Sequence, residues 1–210
     1  MPAVQQDLHN VTNRMFHLYL EDNLQQYTAA QIENIIATFP PQRREVAMRY
    51  KFEQGRKESA LAYQLLCQGL KEHYGIEKMP SFSIGEHGKP SLAEHPNIHF
   101  NFSHCKHAVI CALSDAPIGV DVERIGRYRE ELARHCMNEQ EMTEIQSSPN
   151  REVTFTRLWT QKEALVKLKG TGITDDLPNI LCHNGKIQIE TVVNEEKGYV
   201  YSIATFMSES

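Results

Sequence analysis

The chain has 210 residues, a mass of 24.1 kDa and a formal net charge of −5, with 40% hydrophobic and 23% charged residues. This composition is that of a globular protein able to bury a core, and the acidic balance argues against general nucleic-acid binding. No apolar run approaches the roughly 18 residues of a membrane helix, the N-terminus shows no basic-then-apolar signal segment, and five irregularly spaced cysteines favour a reducing cytoplasm over a disulfide framework.

Hydrophobic periodicity and turn residues predict the order of the elements. In chain order they are a strand at 16–20, a helix at 31–39, a helical stretch at 42–73 with a break at Gly55, a strand and turn at 82–92, strands at 98–104, 107–113 and 118–123, helices at 138–145 and 152–169, and two or three strands within 180–206. Gly75 and Gly170 are predicted to end the two long helices. Asn138 and Glu141 form a capping box, and Asn184-Gly185 is typical of a hairpin turn.

The order of strand, helices and strands therefore occurs twice along the chain. It predicts an α+β (α/β) fold of two similar halves, residues 1–115 and 116–210. No linker rich in Gly, Ser or Pro separates them. We therefore expect the halves to pack as one unit.

The segment IGVDVE (118–123) contains two acids, Asp121 and Glu123, whose side chains lie on the same face of the predicted strand. Like charges side by side on one face repel each other. A divalent cation would turn them into co-ligands, with Glu163 of a later helix as a third oxygen donor. The alternative is an edge strand whose acids only face solvent. The residues alone leave these two interpretations evenly matched.

Further polar residues admit a phosphate-binding and an ordinary interpretation. Glu163 and Lys167 share a helix face, so they either form a weak surface pair or divide their contacts between a metal and a phosphate. Ser103 and His104 end a predicted strand, where they either bind a phosphate or cap a turn. Lys89 lies in a predicted turn, which by itself indicates little.

Four segments occur in the order, and near the spacing, found in one family. They are GKP at 88–90, FNFSH at 100–104, IGVDVE at 118–123 and WTQKEALVK at 159–167, followed by Gly170-x-Gly172-Ile173. On these segments the chain resembles a 4′-phosphopantetheinyl transferase of the Sfp type, and a weaker match runs from Arg43 through Arg49 to Ser59. The resemblance implies two halves related by a pseudo-twofold axis, with coenzyme A and Mg²⁺ in the cleft between them.

The resemblance implies transfer of the 4′-phosphopantetheine group of coenzyme A to a serine of an apo acyl or peptidyl carrier protein, with release of adenosine 3′,5′-bisphosphate. Asp121, Glu123 and Glu163 would hold Mg²⁺ or Mn²⁺, and Glu163 or a water beside the metal would accept the serine proton. His104 and Lys167 would stabilise charge on the pyrophosphate. The residues that would hold coenzyme A are Arg43, Arg49, Ser59, Lys89, Ser103, His104 and Lys167.

The resemblance also has consequences for neighbouring residues and for partners. Glu141 falls where the family often has an acid that assists the base, and Glu58 stands where some relatives carry a basic residue. We expect a cytoplasmic monomer with no nucleic-acid or membrane partner. The alternative is a coenzyme A-binding module without turnover, but the complete set of acids argues against it. An unrelated Mg²⁺-dependent phosphohydrolase would usually gather more acids than these motifs offer.

Overall fold

The computed structural model describes residues 4–5, 16–85, 87–172, 176–183 and 185–207. The helices are α1 (Ala29–Ala37), α2 (Pro41–Met48), α3 (Glu53–Tyr74), α4 (Glu130–Cys136), α5 (Glu139–Ser147) and α6 (Arg151–Lys169), with 3₁₀ segments at Leu24–Gln26 and Leu177–His183. The strands are β1 (Val4–Gln5), β2 (Phe16–Glu21), β3 (Phe82–Ile84), β4 (Pro90–Leu92), β5 (His99–His104), β6 (Val109–Ser114), β7 (Ile118–Arg124), β8 (Ile187–Asn194) and β9 (Tyr199–Phe206). No helix in these ranges is long and apolar enough to cross a membrane.

The strands form antiparallel sheets that separate at the turn between β6 and β7. One sheet has the order β1-β2-β6-β5, and the other has the order β7-β9-β8. The pair β3-β4 forms a separate hairpin before β5. Helix and antiparallel sheet are thus mixed in each part of the chain, which confirms the predicted α+β class.

Each of the two larger sheets carries one long helix on a face. Helix α3 has an apolar stripe at helical spacing, buried against Tyr19 of β2 and Leu113 of β6. The stripe consists of Leu61, Leu65, Leu66 and Leu70. Helix α6 packs on β7 and β9, and both helices end at glycines with positive φ, 66° at Gly75 and 68° at Gly170. These C-terminal glycines were predicted from the sequence.

A further apolar cluster joins the two sheets. Ile118, Val120 and Val122 of β7 are buried in it, together with residues of β2, β6 and β9. The backbone amide of Val120 donates to Asn101 Oδ1 of β5 over 2.8 Å. Strand β7 is an edge strand of its own sheet, but Asp121 is buried, so the interpretation that the acids of IGVDVE only face solvent is wrong.

One local prediction is wrong, and another involves a residue outside the described ranges. The long helical stretch breaks at residues 49–52 rather than at Gly55, which lies in the first turns of α3. Glycine is favoured there because a Cβ would lie 2.6 Å from the Tyr50 ring. The last hairpin turns after Asn194, where Gly198 has a φ of 71°, whereas the predicted turn residue Asn184 lies outside the described residues. Helix α4 was not predicted.

Candidate active site

Strand β7 and helix α6 approach each other closely at Gly119. A Cβ on Gly119 would lie 2.1 Å from the backbone oxygen of Ala164 and 2.4 Å from the backbone nitrogen of Leu168. Only a residue without a side chain allows this approach. It brings Asp121, two residues further along β7, against the side chains of Glu163 and Lys167 on α6.

Asp121, Lys167 and Ser103 form a closed triangle of contacts at this junction. Lys167 Nζ lies 2.6 Å from Asp121 Oδ1 and 2.9 Å from Ser103 Oγ, and the Ser103 hydroxyl donates to the same carboxylate oxygen over 2.9 Å. The Asp121 side chain is 5% exposed and that of Lys167 is 27% exposed. The second oxygen, Asp121 Oδ2, is buried and has no hydrogen-bond partner among the described residues. One carboxylate oxygen therefore remains free for a ligand.

Glu123 and Glu163 complete an acidic cluster with Asp121. Burial raises the pKa of the Glu163 carboxyl, and the negative charges of Asp121 and Glu123 raise it further, against the lowering effects of Lys167 and Arg127. Glu123 accepts from Arg127 over 2.5 Å, and this hydrogen bond raises the pKa of the Arg127 guanidinium. Among the described residues, the three acids do not form a preformed metal site. Instead, Lys167 and Arg127 provide the neutralising charges.

His104 leaves β5 on the face opposite to Ser103, as adjacent strand residues do. Its Nδ1 lies 3.0 Å from Oε2 of Glu58 on α3. The other oxygen of Glu58 accepts from Gln54 Nε2 over 2.7 Å. The sequence singled out His104, but nothing in its pattern indicated that Glu58 would be its partner.

Lys89 lies at the end of α6. Its Nζ donates to the backbone oxygens of Lys167 over 2.6 Å and Ile118 over 3.3 Å, and burial lowers the pKa of its ammonium. A cation at this position satisfies carbonyls at the helix C-terminus. A cavity of about 260 Å³ opens beside it, lined in part by Gly88, Asn101 and Lys167. Lys89 therefore fixes the junction, and its contact with coenzyme A stays a prediction.

The basic residues of the first half make contacts within the protein. Arg43 donates to the backbone oxygen of Ser59 over 2.6 Å and to its hydroxyl over 2.8 Å, and its guanidinium lies 5.0 Å from the centre of the Tyr63 ring. These contacts join α2 to α3. Arg49 pairs with Glu45 over 2.8 Å at the surface. Roles for Arg43, Arg49 and Ser59 in coenzyme A binding stay predictions.

Glu141 forms a buried ion pair that the sequence did not indicate. Lys162 Nζ lies 2.9 Å from Glu141 Oε2 and donates to the backbone oxygens of Leu177 and Pro178 over 3.0 and 2.7 Å. The same Glu141 oxygen accepts from the backbone of Asn138 in the predicted capping box. Glu141 thus ties α5 to α6, and the structure gives it contacts of a structural kind.

Comparisons with known proteins point to one family. A family model described as the 4′-phosphopantetheinyl transferase superfamily matches residues 117–206, which include β7 and α6. The chain is 27% identical to 4′-phosphopantetheinyl transferase Sfp of Bacillus subtilis (strain 168) over 193 residues, covering 89% of this chain and 85% of that protein. It is 29% identical to 4′-phosphopantetheinyl transferase psf-1 of Bacillus pumilus over 164 residues, covering 77% and 70%.

A further relative has higher identity over a shorter range. The chain is 32% identical to 4′-phosphopantetheinyl transferase AcpT of Escherichia coli O157:H7 over 141 residues, covering 64% of this chain and 67% of that protein. The match spans two thirds of that relative. The resemblance found in the sequence motifs is thereby confirmed: the chain belongs to the 4′-phosphopantetheinyl transferase superfamily.

Proposed function

We propose that this protein transfers the 4′-phosphopantetheine group of coenzyme A to a serine hydroxyl of an apo carrier protein. The serine oxygen bonds to the phosphorus atom next to the pantetheine, the P–O bond within the pyrophosphate breaks, and adenosine 3′,5′-bisphosphate leaves. The observation that carries this proposal is the junction of Asp121, Ser103 and Lys167. Asp121 and Lys167 lie within the region that the family model matches. A carrier protein and coenzyme A are the two substrates.

The cationic and hydroxyl groups at the junction suit a pyrophosphate. Phosphoryl transfer depends mainly on positioning and on neutralising the charge of the phosphate oxygens. Lys167 is a movable point charge that already contacts both Ser103 and Asp121. When coenzyme A binds, we expect Lys167 and the Ser103 hydroxyl to turn their donors to phosphate oxygens.

The acidic cluster fits a divalent cation. Its donors are carboxylate oxygens, which Mg²⁺ prefers, and Asp121 Oδ2 is buried without a partner among the described residues. We propose that Asp121, Glu123 and Glu163 hold Mg²⁺, with Mn²⁺ as a substitute. When bound, the ion neutralises charge on the pyrophosphate as a Lewis acid.

Glu163 is the proposed general base for the carrier serine. Its burial and acidic neighbours raise the pKa of its carboxyl, so its carboxylate takes a proton more readily than an exposed glutamate does. Glu141 is a poorer candidate, because its Oε2 is held by Lys162 and by the capping box.

Several broader features belong to the same proposal. We propose halves comprising residues 1–115 and 116–210, supported by the separation of the two larger sheets at the turn before β7. A monomer is supported by the presence of both halves in one chain. A cytoplasmic location is supported by the five cysteines, which are unpaired in this structure.

Mass spectrometry of intact carrier proteins tests the activity. Several apo carriers are incubated with coenzyme A, Mg²⁺ and this protein, beside carriers whose acceptor serine is replaced by alanine. The proposal expects a phosphopantetheine adduct on the intact carriers only, with adenosine 3′,5′-bisphosphate in equal amount. Coenzyme A binding without any adduct would favour the binding-module alternative. Free phosphate or 4′-phosphopantetheine in the absence of carrier would indicate a hydrolase.

A matched pair of variants tests the site. Glu163→Gln keeps the size of the side chain but removes its charge, and we expect loss of transfer with the fold retained. Glu33→Gln makes the same change at an exposed position of α1 and should leave transfer unchanged. Full activity in Glu163→Gln would contradict the assigned role.

A further inference from the structure

An acid lies where an anion is proposed to bind. Glu58 contacts His104, and the family resemblance implies that His104 stabilises charge on the pyrophosphate of coenzyme A. The two side chains are 12% and 29% exposed, so both are partly withdrawn from water. A free carboxylate at this place would repel a phosphate, so the direct effect of Glu58 on coenzyme A binding should be unfavourable.

The Glu58 carboxylate is held in place from two elements. Oε2 lies 3.0 Å from His104 Nδ1 on β5, and Oε1 accepts from Gln54 one turn earlier on α3. Burial raises the pKa of the Glu58 carboxyl, but the hydrogen bonds from His104 and Gln54 outweigh burial and lower it. Glu58 is therefore a carboxylate that accepts hydrogen bonds at both oxygens.

The contact with Nδ1 determines what the rest of the imidazole ring can do. A neutral imidazole has one donor nitrogen and one acceptor nitrogen, whereas an imidazolium has two donors. If Nδ1 donates to Glu58 in the neutral ring, Nε2 is an acceptor and repels a phosphate oxygen. In the imidazolium, Nδ1 donates to Glu58 while Nε2 donates to a second anion, so the ring can bridge a carboxylate and a phosphate.

We infer that Glu58 is a positioning residue that holds the His104 ring through Nδ1, so that Nε2–H of the imidazolium faces a phosphate oxygen of coenzyme A. This inference rests on the proposed function, because that function supplies the phosphate. The charge of Glu58 acts through the ring: it strengthens the donor that meets the anion, and this gain exceeds its own repulsion.

Removing the charge of Glu58 distinguishes its direct repulsion of the phosphate from its effect through His104, because the two effects change coenzyme A affinity in opposite directions. Glu58→Gln keeps the shape and an oxygen acceptor for Nδ1 but removes the negative charge. We expect the dissociation constant of coenzyme A to rise about tenfold, because a hydrogen bond from a charged donor contributes about twice as much as a neutral one. KM for coenzyme A should rise in parallel, with a smaller change in kcat at saturation. Unchanged or tighter binding of coenzyme A would overturn the inference.

The matched control is Glu53→Gln, an exposed acid in the first turn of the same helix. It removes the same charge but lies outside the His104 contact, so coenzyme A binding should change by less than about twofold. Calorimetric titration of the wild type and both variants measures the dissociation constants. Circular dichroism checks that Glu58→Gln has the secondary structure of the wild type.

Nuclear magnetic resonance of the ligand-free protein tests the contact without any substrate. In spectra that correlate the imidazole nitrogens and carbon-bound protons, His104 of the wild type should carry a proton at Nδ1. In Glu58→Ala the ring should no longer show a preference for the proton at Nδ1. A wild-type His104 protonated only at Nε2 would overturn the inference. If the wild type failed to bind coenzyme A, the proposed function would fail, whereas these spectra would still decide the Glu58–His104 contact.

Discussion

Gly119→Ala tests whether the close approach of β7 and α6 builds the site. The added Cβ would lie 2.1 Å from the backbone oxygen of Ala164, and Cβ contacts below 3.0 Å are essentially never seen. Both nearest groups belong to the backbone of α6, so no side-chain rotation relieves the clash. The strand and the helix must separate by about 1 Å, which a close-packed core resists.

The size of the effect follows from this separation. Overpacking in a core costs about 1–3 kcal/mol even where side chains can move, and here a helix backbone must move. We expect a loss of about 3 kcal/mol in the free energy of unfolding, or a fall of about 6–12 °C in Tm for a chain of this size. The same shift lengthens the 2.6 Å contact between Asp121 and Lys167, so transfer activity should fall by at least about tenfold in the folded fraction.

The assay combines thermal unfolding with the carrier adduct measured by mass spectrometry. Gly185→Ala is the control, because a Cβ there meets nothing within 4 Å and the residue is exposed. This control should change the free energy of unfolding by less than about 0.5 kcal/mol. A Gly119→Ala protein with wild-type Tm and activity would refute the view that this glycine sets the geometry.

Three further predictions concern charges. At pH 7 and in the presence of a chelator, Glu163→Gln should unfold at a higher denaturant concentration than the wild type. Because the pKa of Glu163 is raised in the folded state, the wild type loses stability as the pH rises above the unfolded pKa of 4.5, and the variant lacks this loss. Equal denaturation midpoints would contradict this prediction. Lys162→Met should lower the free energy of unfolding by about 3–5 kcal/mol, because it leaves Glu141 buried and unpaired. Denaturant titration of the double variant with Glu141→Met should show that part of this loss is recovered. If the losses of the two single variants simply added in the double variant, the ion pair would not stabilise the fold. Chelation should abolish carrier modification, and Mg²⁺ or Mn²⁺ should restore it; adduct formation indifferent to chelator would exclude a required metal.

The elements that carry the site could be predicted from the sequence because their signals are local. Alternation with period two marks β7 from its own residues, and the helical spacing of Glu163 and Lys167 follows from the pattern of α6. The prediction that Gly170 ends α6 needs only the last turn of that helix. A resemblance in four motifs then supplied the family, which the comparisons confirmed.

The contacts between distant segments could not be predicted in this way. The partner of His104 is Glu58 on α3, and the partner of Glu141 is Lys162 one helix later. Neither spacing corresponds to a helix or strand period, so the pattern holds no sign of the pairing. Gly55 illustrates the same limit, because a glycine in a helical stretch suggested a break, whereas the Tyr50 ring packed against it explains its presence.

The predicted metal triad lies between these two cases. The sequence placed Asp121 and Glu123 on one strand face, and the resemblance added Glu163. The structure brings the three acids close enough for the charges of Asp121 and Glu123 to raise the pKa of Glu163. It also shows that Lys167 pairs with Asp121 and that Arg127 pairs with Glu123. The sequence pattern did not predict these two ion pairs. Their joint role in holding a cation stays a proposal.

Binding of Mn²⁺, followed by electron paramagnetic resonance in the presence of coenzyme A, tests the central claim most directly. We expect the wild type and Asp115→Asn, an exposed acid in the turn before β7, to bind one ion per chain with equal affinity. Asp121→Asn should bind it at least about tenfold more weakly, because it replaces the carboxylate that carries the buried free oxygen. Equal Mn²⁺ affinity in Asp121→Asn and the wild type would contradict the account.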